Sequence, residues 1–136
     1  MTASAEPQFA TIHGYAAKAI KGPLELWEYT PQPLGPNDVE IKIDHCGLCR
    51  SDIHAIDSDW GPTQYPVIVG HEVVGKVVTK GNRVTKYDVG DLVGVGGQVW
   101  ACLKPDCRAC GKGHDHYCPH TVLIYGDKYP DGEPSQ

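Results

Sequence analysis

Apolar and charged positions alternate with period two through Val39, Glu40, Ile41, Lys42, Ile43 and Asp44, the pattern of a β-strand with one buried and one wet face. Residues 15–20 and 24–29 are shorter strand candidates, and the Lys21-Gly22-Pro23 turn between them suits a hairpin. Residues 73–79 are apolar and β-branched, and 92–95 follow the Gly90-Asp91 turn; both read as strands. Between the hairpin and the alternating strand, Pro31, Pro33 and Pro36 remove amide donors and impose a loop. Residues 50–56 have room for one or two helical turns, after which Gly61-Pro62 and Tyr65-Pro66 keep the backbone irregular as far as Gly70. From 96 to 117 periodicity fades, and residues 1–13 read as a disordered lead. Short strands, frequent turns and no long amphipathic helix predict a mainly β domain of barrel type.

Composition narrows the function classes. The 136 residues carry a formal net charge of -5 with Lys and Arg thinly spread, which argues against nucleic acid, whose phosphates need those residues concentrated. Residues 1–10 lack the charged start and apolar run of a signal peptide, and no later stretch is long enough to span a bilayer. A cytoplasmic protein without membrane partners is expected. In that setting six cysteines read as reduced metal ligands rather than as three disulfides.

Two groups of residues carry candidate metal chemistry. Cys49 and His71 offer zinc a thiolate and an imidazole, with the carboxylates of Asp52 and Glu72 close by in sequence to orient them. A catalytic zinc needs three protein ligands and one open position, so the third ligand comes from Glu72, from Cys46 or from outside the chain. Cys46 and Cys49 also form the C-x-x-C pair of a redox dithiol, although the βαβ surroundings are missing. A four-thiolate site with Cys107 and Cys110 would need a gap longer than a zinc ribbon uses, and a simply packed Cys46 is a further alternative. Downstream, Cys102, Cys107, Cys110 and Cys118 fall in a segment too poor in apolar residues to fold by itself. Four thiolates around one zinc would close it and leave no position for chemistry.

Cys49-Arg50-Ser51-Asp52 with His54, Gly70-His71-Glu72, and then Gly75, Gly81 and Val84 resemble the signature of zinc-dependent medium-chain alcohol dehydrogenases. The flanks 59–63 and Tyr65-Pro66 resemble the cinnamyl-alcohol-dehydrogenase-like branch, particularly its fungal NADP-dependent members. The resemblance implies a GroES-like, partly open β-barrel over 14–136, incomplete at its end, with a structural-zinc lobe at about 97–120. It further implies an oxidoreductase that interconverts primary alcohols and aldehydes with NADP(H), holds two zinc ions per full-length chain and works as a homodimer.

By the same resemblance Cys49 and His71 bind the catalytic zinc, the remaining ligand is a cysteine expected beyond residue 136, Glu72 approaches or binds the metal, and Asp52 orients His71. Ser51 takes the alcohol proton, His54 passes it toward solvent, and Arg50 lies near the cofactor pyrophosphate. From the residues alone, Ser51 also suits a helix cap and His54 a surface position. Trp60 either walls the substrate pocket or packs in the ordinary way.

The family spaces its lobe cysteines C-x2-C-x2-C-x7-C, whereas Leu103, Lys104, Pro105 and Asp106 separate Cys102 from Cys107, two residues more than usual. Those residues either bulge outward, leaving Cys102 coordinated, or remove it. His114, His116 and His120 are substitute ligands or members of a solvated loop. No G-x-G-x-x-G follows a strand; 94–97 lacks the last glycine at the required offset. The expectation is therefore the N-terminal part of a dehydrogenase without its Rossmann domain, inactive when isolated. A zinc-binding module that has lost catalysis is the alternative, and a GroES-like co-chaperone, which has no use for these cysteines, ranks last.

Overall fold

The computed structural model describes residues 11–132 and residue 135. Its strands are β1 (Ile12–Ala17), β2 (Leu24–Tyr29), β3 (Val39–Cys46), β4 (Val67–Ile68), β5 (Val73–Lys80), β6 (Leu92–Val95), β7 (Gln98–Trp100) and β8 (Val122–Leu123). One α-helix, α1 (Arg50–Ile56), follows β3, and two single 3-10 turns, Cys110–Lys112 and Asp115–Tyr117, lie between β7 and β8. Every strand pairing is antiparallel, in three separate sheets ordered β2-β1-β4, β3-β5-β6 and β7-β8. The expected mainly β, partly open architecture is what forms. Among the described residues no βαβ unit occurs and no helix is long and apolar enough to cross a membrane.

The hairpin closes where its turn residues required, with Gly22 N–H donating to the Ala19 carbonyl at 2.9 Å and Lys21 taking φ 55°. Its first strand, however, starts at Ile12 rather than Tyr15. Ile12 and His13 pair with Tyr29 and Glu28, so the second strand extends an order that the local pattern lacked. The disordered lead drawn to residue 13 therefore overreached by two residues, and its part over 1–10 lies outside the described residues. Val67 and Ile68, placed in an irregular stretch, instead add a short strand to the other side of β1 through Ala17 and Ala16. The proline-rich loop is a loop, tied to the connection after β5 by Gly81 N–H to the Asp38 carbonyl and Arg83 N–H to the Pro36 carbonyl, both 2.8 Å.

β5 carries the clean alternation: Val73, Gly75 and Val77 are buried while Val74 and Lys76 face out. β3 does not, contrary to its sequence pattern. Bulges between Glu40 and Ile41 and between Ile43 and His45 break its period, and Ile43 is 57% exposed. The buried apolar residues are mostly small: Ala16, Ala17, Val67, Val73, Val77, Ala101, Ala109 and Val122, with Leu34 the largest.

Close approach of β3 to β5 fixes the register that matters for the site. A Cβ at Gly75 would meet the Lys42 carbonyl oxygen, with Ile41 Cγ2 at 2.7 Å and the Lys42 carbonyl carbon at 2.9 Å. Backbone cannot retreat as a side chain can. We therefore expect Gly75→Ala to cost about 1–3 kcal/mol in chemical denaturation, as overpacking does. Gly94→Ala on the neighbouring strand, where the nearest atom is 3.7 Å away, serves as the control and should stay within about 0.5 kcal/mol.

Candidate metal centres

The end of β3 and the start of β5 are neighbours, because Cys46 pairs with Val73 and Gly47 N–H donates to the Glu72 carbonyl at 3.0 Å. That pairing brings the 47–49 turn beside His71 and Glu72. Gly47 is needed there, since a Cβ at this position would meet the Glu72 carboxylate and come within 2.9 Å of Glu72 Cβ. Cys49 then stands as the extended residue that caps α1, with φ -123° and ψ 153°.

Asp52, 4% exposed, organises the group. Its Oδ2 accepts from Cys49 N–H at 3.0 Å, which closes the first turn of the helix. Its Oδ1 lies 3.1 Å from His71 Nδ1 and accepts from the Tyr125 hydroxyl at 3.0 Å. With Nδ1 engaged by the carboxylate, His71 has Nε2 left for a metal. The donor atoms of Cys49, His71 and Glu72 lie within 4.8 Å of one another. A thiolate, an imidazole and a carboxylate at this spacing are a donor set that zinc accepts.

The electrostatics of the metal-free group favour the thiolate that zinc needs at Cys49 and disfavour the neutral ring it needs at His71. The Ser51 hydroxyl, 3.5 Å from Cys49 Sγ, and the Ser51 backbone N–H hold the Cys49 thiol below its ordinary pKa, and His71 adds to this. Burial pulls His71 down, but its bond to and attraction by Asp52, together with Cys49, leave it above the usual histidine value.

The other candidates fall around this group. Cys46 is exposed and outside it, its Sγ filling the space that a Cβ on Gly70 would need. Its exposure departs from the packed position expected of it. Ser51 touches Cys49, whereas His54 Nδ1 pairs with Asp59 Oδ2 at 2.7 Å and its ring lies 5.1 Å from that of Trp60. Trp60 itself is exposed, and Arg50 is exposed at the first position of α1. Tyr125, 73 residues from Asp52, was missed by the sequence reading; nothing in a turn rich in Gly and Asp signals that its hydroxyl reaches a buried carboxylate.

The second group is closed. The donor atoms of Cys102, Cys107, Cys110 and Cys118 all lie within 4.8 Å of one another, and Cys102 Sγ is 3.8 Å from Cys110 Sγ and 3.6 Å from Cys118 Sγ. Four sulfurs at about 2.3 Å from one zinc stand about 3.8 Å apart, so the separations suit a tetrahedral ion. The four extra-long-spacer residues bulge outward: Leu103, at φ 49°, is 70% exposed, and Cys107 N–H turns back to the Lys104 carbonyl at 3.1 Å. Cys102 keeps its place. His114, His116 and His120 are exposed and outside the thiol set, with the His116 ring tilted against that of Tyr117 at 4.3 Å. Pairing of β7 with β8, and Ile124 N–H donating to the Gly97 carbonyl at 3.0 Å, shut the base of the lobe.

An antiparallel β fold with this Cys and His arrangement defines a class, and residues 35–132 match the family model described as the alcohol dehydrogenase GroES-like domain. The chain belongs to that family. It is 45% identical over 123 residues to cinnamyl alcohol dehydrogenase 1 of Ocimum basilicum, covering 90% of this chain and 34% of that protein. It is 43% identical over 119 residues to 8-hydroxygeraniol dehydrogenase of Catharanthus roseus, covering 88% and 32%.

Among solved structures, a cinnamyl alcohol dehydrogenase from Sorghum bicolor superposes with a TM-score of 0.84 at 42% identity, over 93% of this chain and 36% of that one. The CAD of Helicobacter pylori complexed with NADP(H) gives 0.84 at 33%, over 92% and 36%. The chain thus spans about a third of the length of the curated relatives it matches.

The thiols of the lobe differ in readiness for metal. Backbone N–H groups of Cys110 and Ala109 hold Cys107 down to about 7, while burial and the neighbouring thiols push Cys110 up to about 12. In metal-free protein near pH 7, Cys107 is therefore expected to be alkylated by iodoacetamide well before Cys110, and zinc to protect both. Peptide mass spectrometry reads the order, and equal rates would contradict it.

Proposed function

We propose that the chain forms the zinc-binding N-terminal part of an oxidoreductase that interconverts primary alcohols and aldehydes by hydride transfer with NADP(H). The observation that carries this reading is the convergence of Cys49, His71 and Glu72 on one point with Asp52 buried behind His71. Similarity to cinnamyl alcohol dehydrogenases, one of them complexed with NADP(H), supports the substrate class and the cofactor. The resemblance to alcohol dehydrogenases extends the proposal to a homodimer for the full-length protein, and a cytoplasmic location is proposed with it.

Cys49, His71 and Glu72 would hold the catalytic zinc, and Cys102, Cys107, Cys110 and Cys118 the structural one. At the first site zinc supplies Lewis acidity toward an alcohol oxygen, easing loss of its proton. Asp52 keeps the His71 ring turned so that its free nitrogen faces the site. On this reading Ser51, whose hydroxyl contacts Cys49, takes the alcohol proton and gives up its own toward His54. His54 lies one helical turn further on; with Nδ1 engaged by Asp59, its Nε2 can pass a proton to solvent.

Oxidation of an alcohol releases one proton and one hydride, and these residues account for the proton. The described residues do not build a dinucleotide cradle: the glycines at 94–97 run from β6 into β7 and not into a helix. Arg50, exposed beside the site, is the contact assigned to the cofactor pyrophosphate.

We expect the full-length protein to reduce an aromatic aldehyde with NADPH, and Cys49→Ser to lower turnover by more than about 100-fold, beyond what loss of an outer partner costs. The 136-residue chain alone should show none. Turnover that survives Cys49→Ser would overturn the assignment. Zinc binding without any turnover in the full-length protein would instead favour a zinc-binding module.

A further inference from the structure

Asp52 takes three donors, and only two of them belong to the expected metal apparatus. The third, the Tyr125 hydroxyl, lies 3.0 Å from Asp52 Oδ1 and 3.2 Å from His71 Nδ1, while the Tyr125 ring meets the His71 ring edge-on at 5.9 Å. From these contacts we infer that Tyr125 is a positioning residue for the Cys49 centre, locking the Asp52 and His71 pair in the orientation that presents His71 to the metal. The inference rests on reading that centre as a zinc site.

Geometry fixes the direction of the bond. A buried carboxylate accepts and cannot donate, so the phenol hydrogen points to Asp52 Oδ1. Oδ1 is then shared between phenol and imidazole, and Oδ2 is occupied by Cys49 N–H. A carboxylate held at both oxygens from three chain segments cannot swing, and neither can the ring it carries. Removing the phenol oxygen leaves Oδ1 with one donor and frees both groups to turn together.

Tyr125 is delivered to this point by the thiolate lobe. It leaves β8 two residues after Leu123, with Ile124 N–H held by the Gly97 carbonyl on one side and Leu123 N–H bonded to Asp127 Oδ2 at 3.2 Å on the other. The backbone around Tyr125 is therefore set by the closed base of the lobe. Its side chain reaches from the end of β8 to the Cys49 centre.

Tyr125→Phe keeps the ring contact and deletes only the oxygen. Zinc affinity is measured by competition with a chromogenic chelator, and cobalt(II) substitution gives the ligand-field bands of each centre. The variant is expected to bind the ion of the Cys49 centre roughly 10- to 100-fold more weakly, the usual effect of losing an outer hydrogen-bond partner. Its cobalt bands at that centre should shift, and the four-thiolate lobe should bind as in the wild type.

Unchanged affinity and bands at the Cys49 centre would overturn the inference. So would loss at both centres, which would make Tyr125 a support of the whole fold. Cys49→Ser separates the two levels: if it leaves metal content unchanged, the zinc reading itself fails. If it removes one ion while Tyr125→Phe behaves as the wild type, the zinc reading stands and the positioning role alone fails.

Discussion

A buried carboxylate is tolerated only where donors replace the water it has lost, and Asp52 meets that condition with atoms from three separate segments. Each hydrogen bond to a charged group contributes about 1.5–3 kcal/mol, comparable to burying a whole Val or Leu side chain. In a protein whose buried apolar residues are mostly Ala and Val, three such bonds weigh as heavily as a substantial part of the core. The start of α1, the segment before β5 and the turn after β8 are consequently tied to one another through this polar point. The candidate metal donors Cys49 and His71 take their positions from the same carboxylate.

The two cysteine-bearing groups solve different problems with related ligands. Four thiolates saturate a tetrahedron, so the lobe spanning 102–118 can be held by an ion where its regular structure amounts to two single 3-10 turns. In the other group Cys49, His71 and Glu72 make three donors, with the first two half-buried and the last exposed. Three donors leave a coordination position, and the exposed side of the group lets a small molecule approach it. On the proposed reading, the contrast between a closed set and an open one separates structural support from chemistry.

Residue types and spacing made most of the site readable. Cys49, Asp52 and His71 stand in a local order whose chemistry suits zinc, and the hairpin, α1 and β5 follow from turn residues and periodicity. What was not readable depends on distant partners. The extension of β1 to Ile12 comes from pairing with β2, and the exposure of Cys46 comes from how β3 meets β5. β3 reads as a half-buried strand, yet two bulges re-aim its side chains and leave Ile43 exposed. The long spacer before Cys107 left two outcomes open in sequence, and only the outward path of Leu103 decides between them.

Chain separation also orders how the site comes together. His71 lies 19 residues from Asp52, and Tyr125 lies 73. For a flexible chain, closing the longer loop costs about 1.2 kcal/mol more than closing the shorter one, on top of the fixed cost that each closure carries. One hydrogen bond to a charged group, at about 1.5–3 kcal/mol, offsets little beyond that difference. The Tyr125 bond is therefore weak as a closing force and depends on intervening structure to shorten the path. Antiparallel pairing of β5 with β6, and of β7 with β8 across the thiolate lobe, provides that structure by folding most of the intervening chain back on itself. The short-range pair of Asp52 with His71 depends on the β3 and β5 ladder, whereas the Tyr125 bond depends also on the lobe that shortens its path.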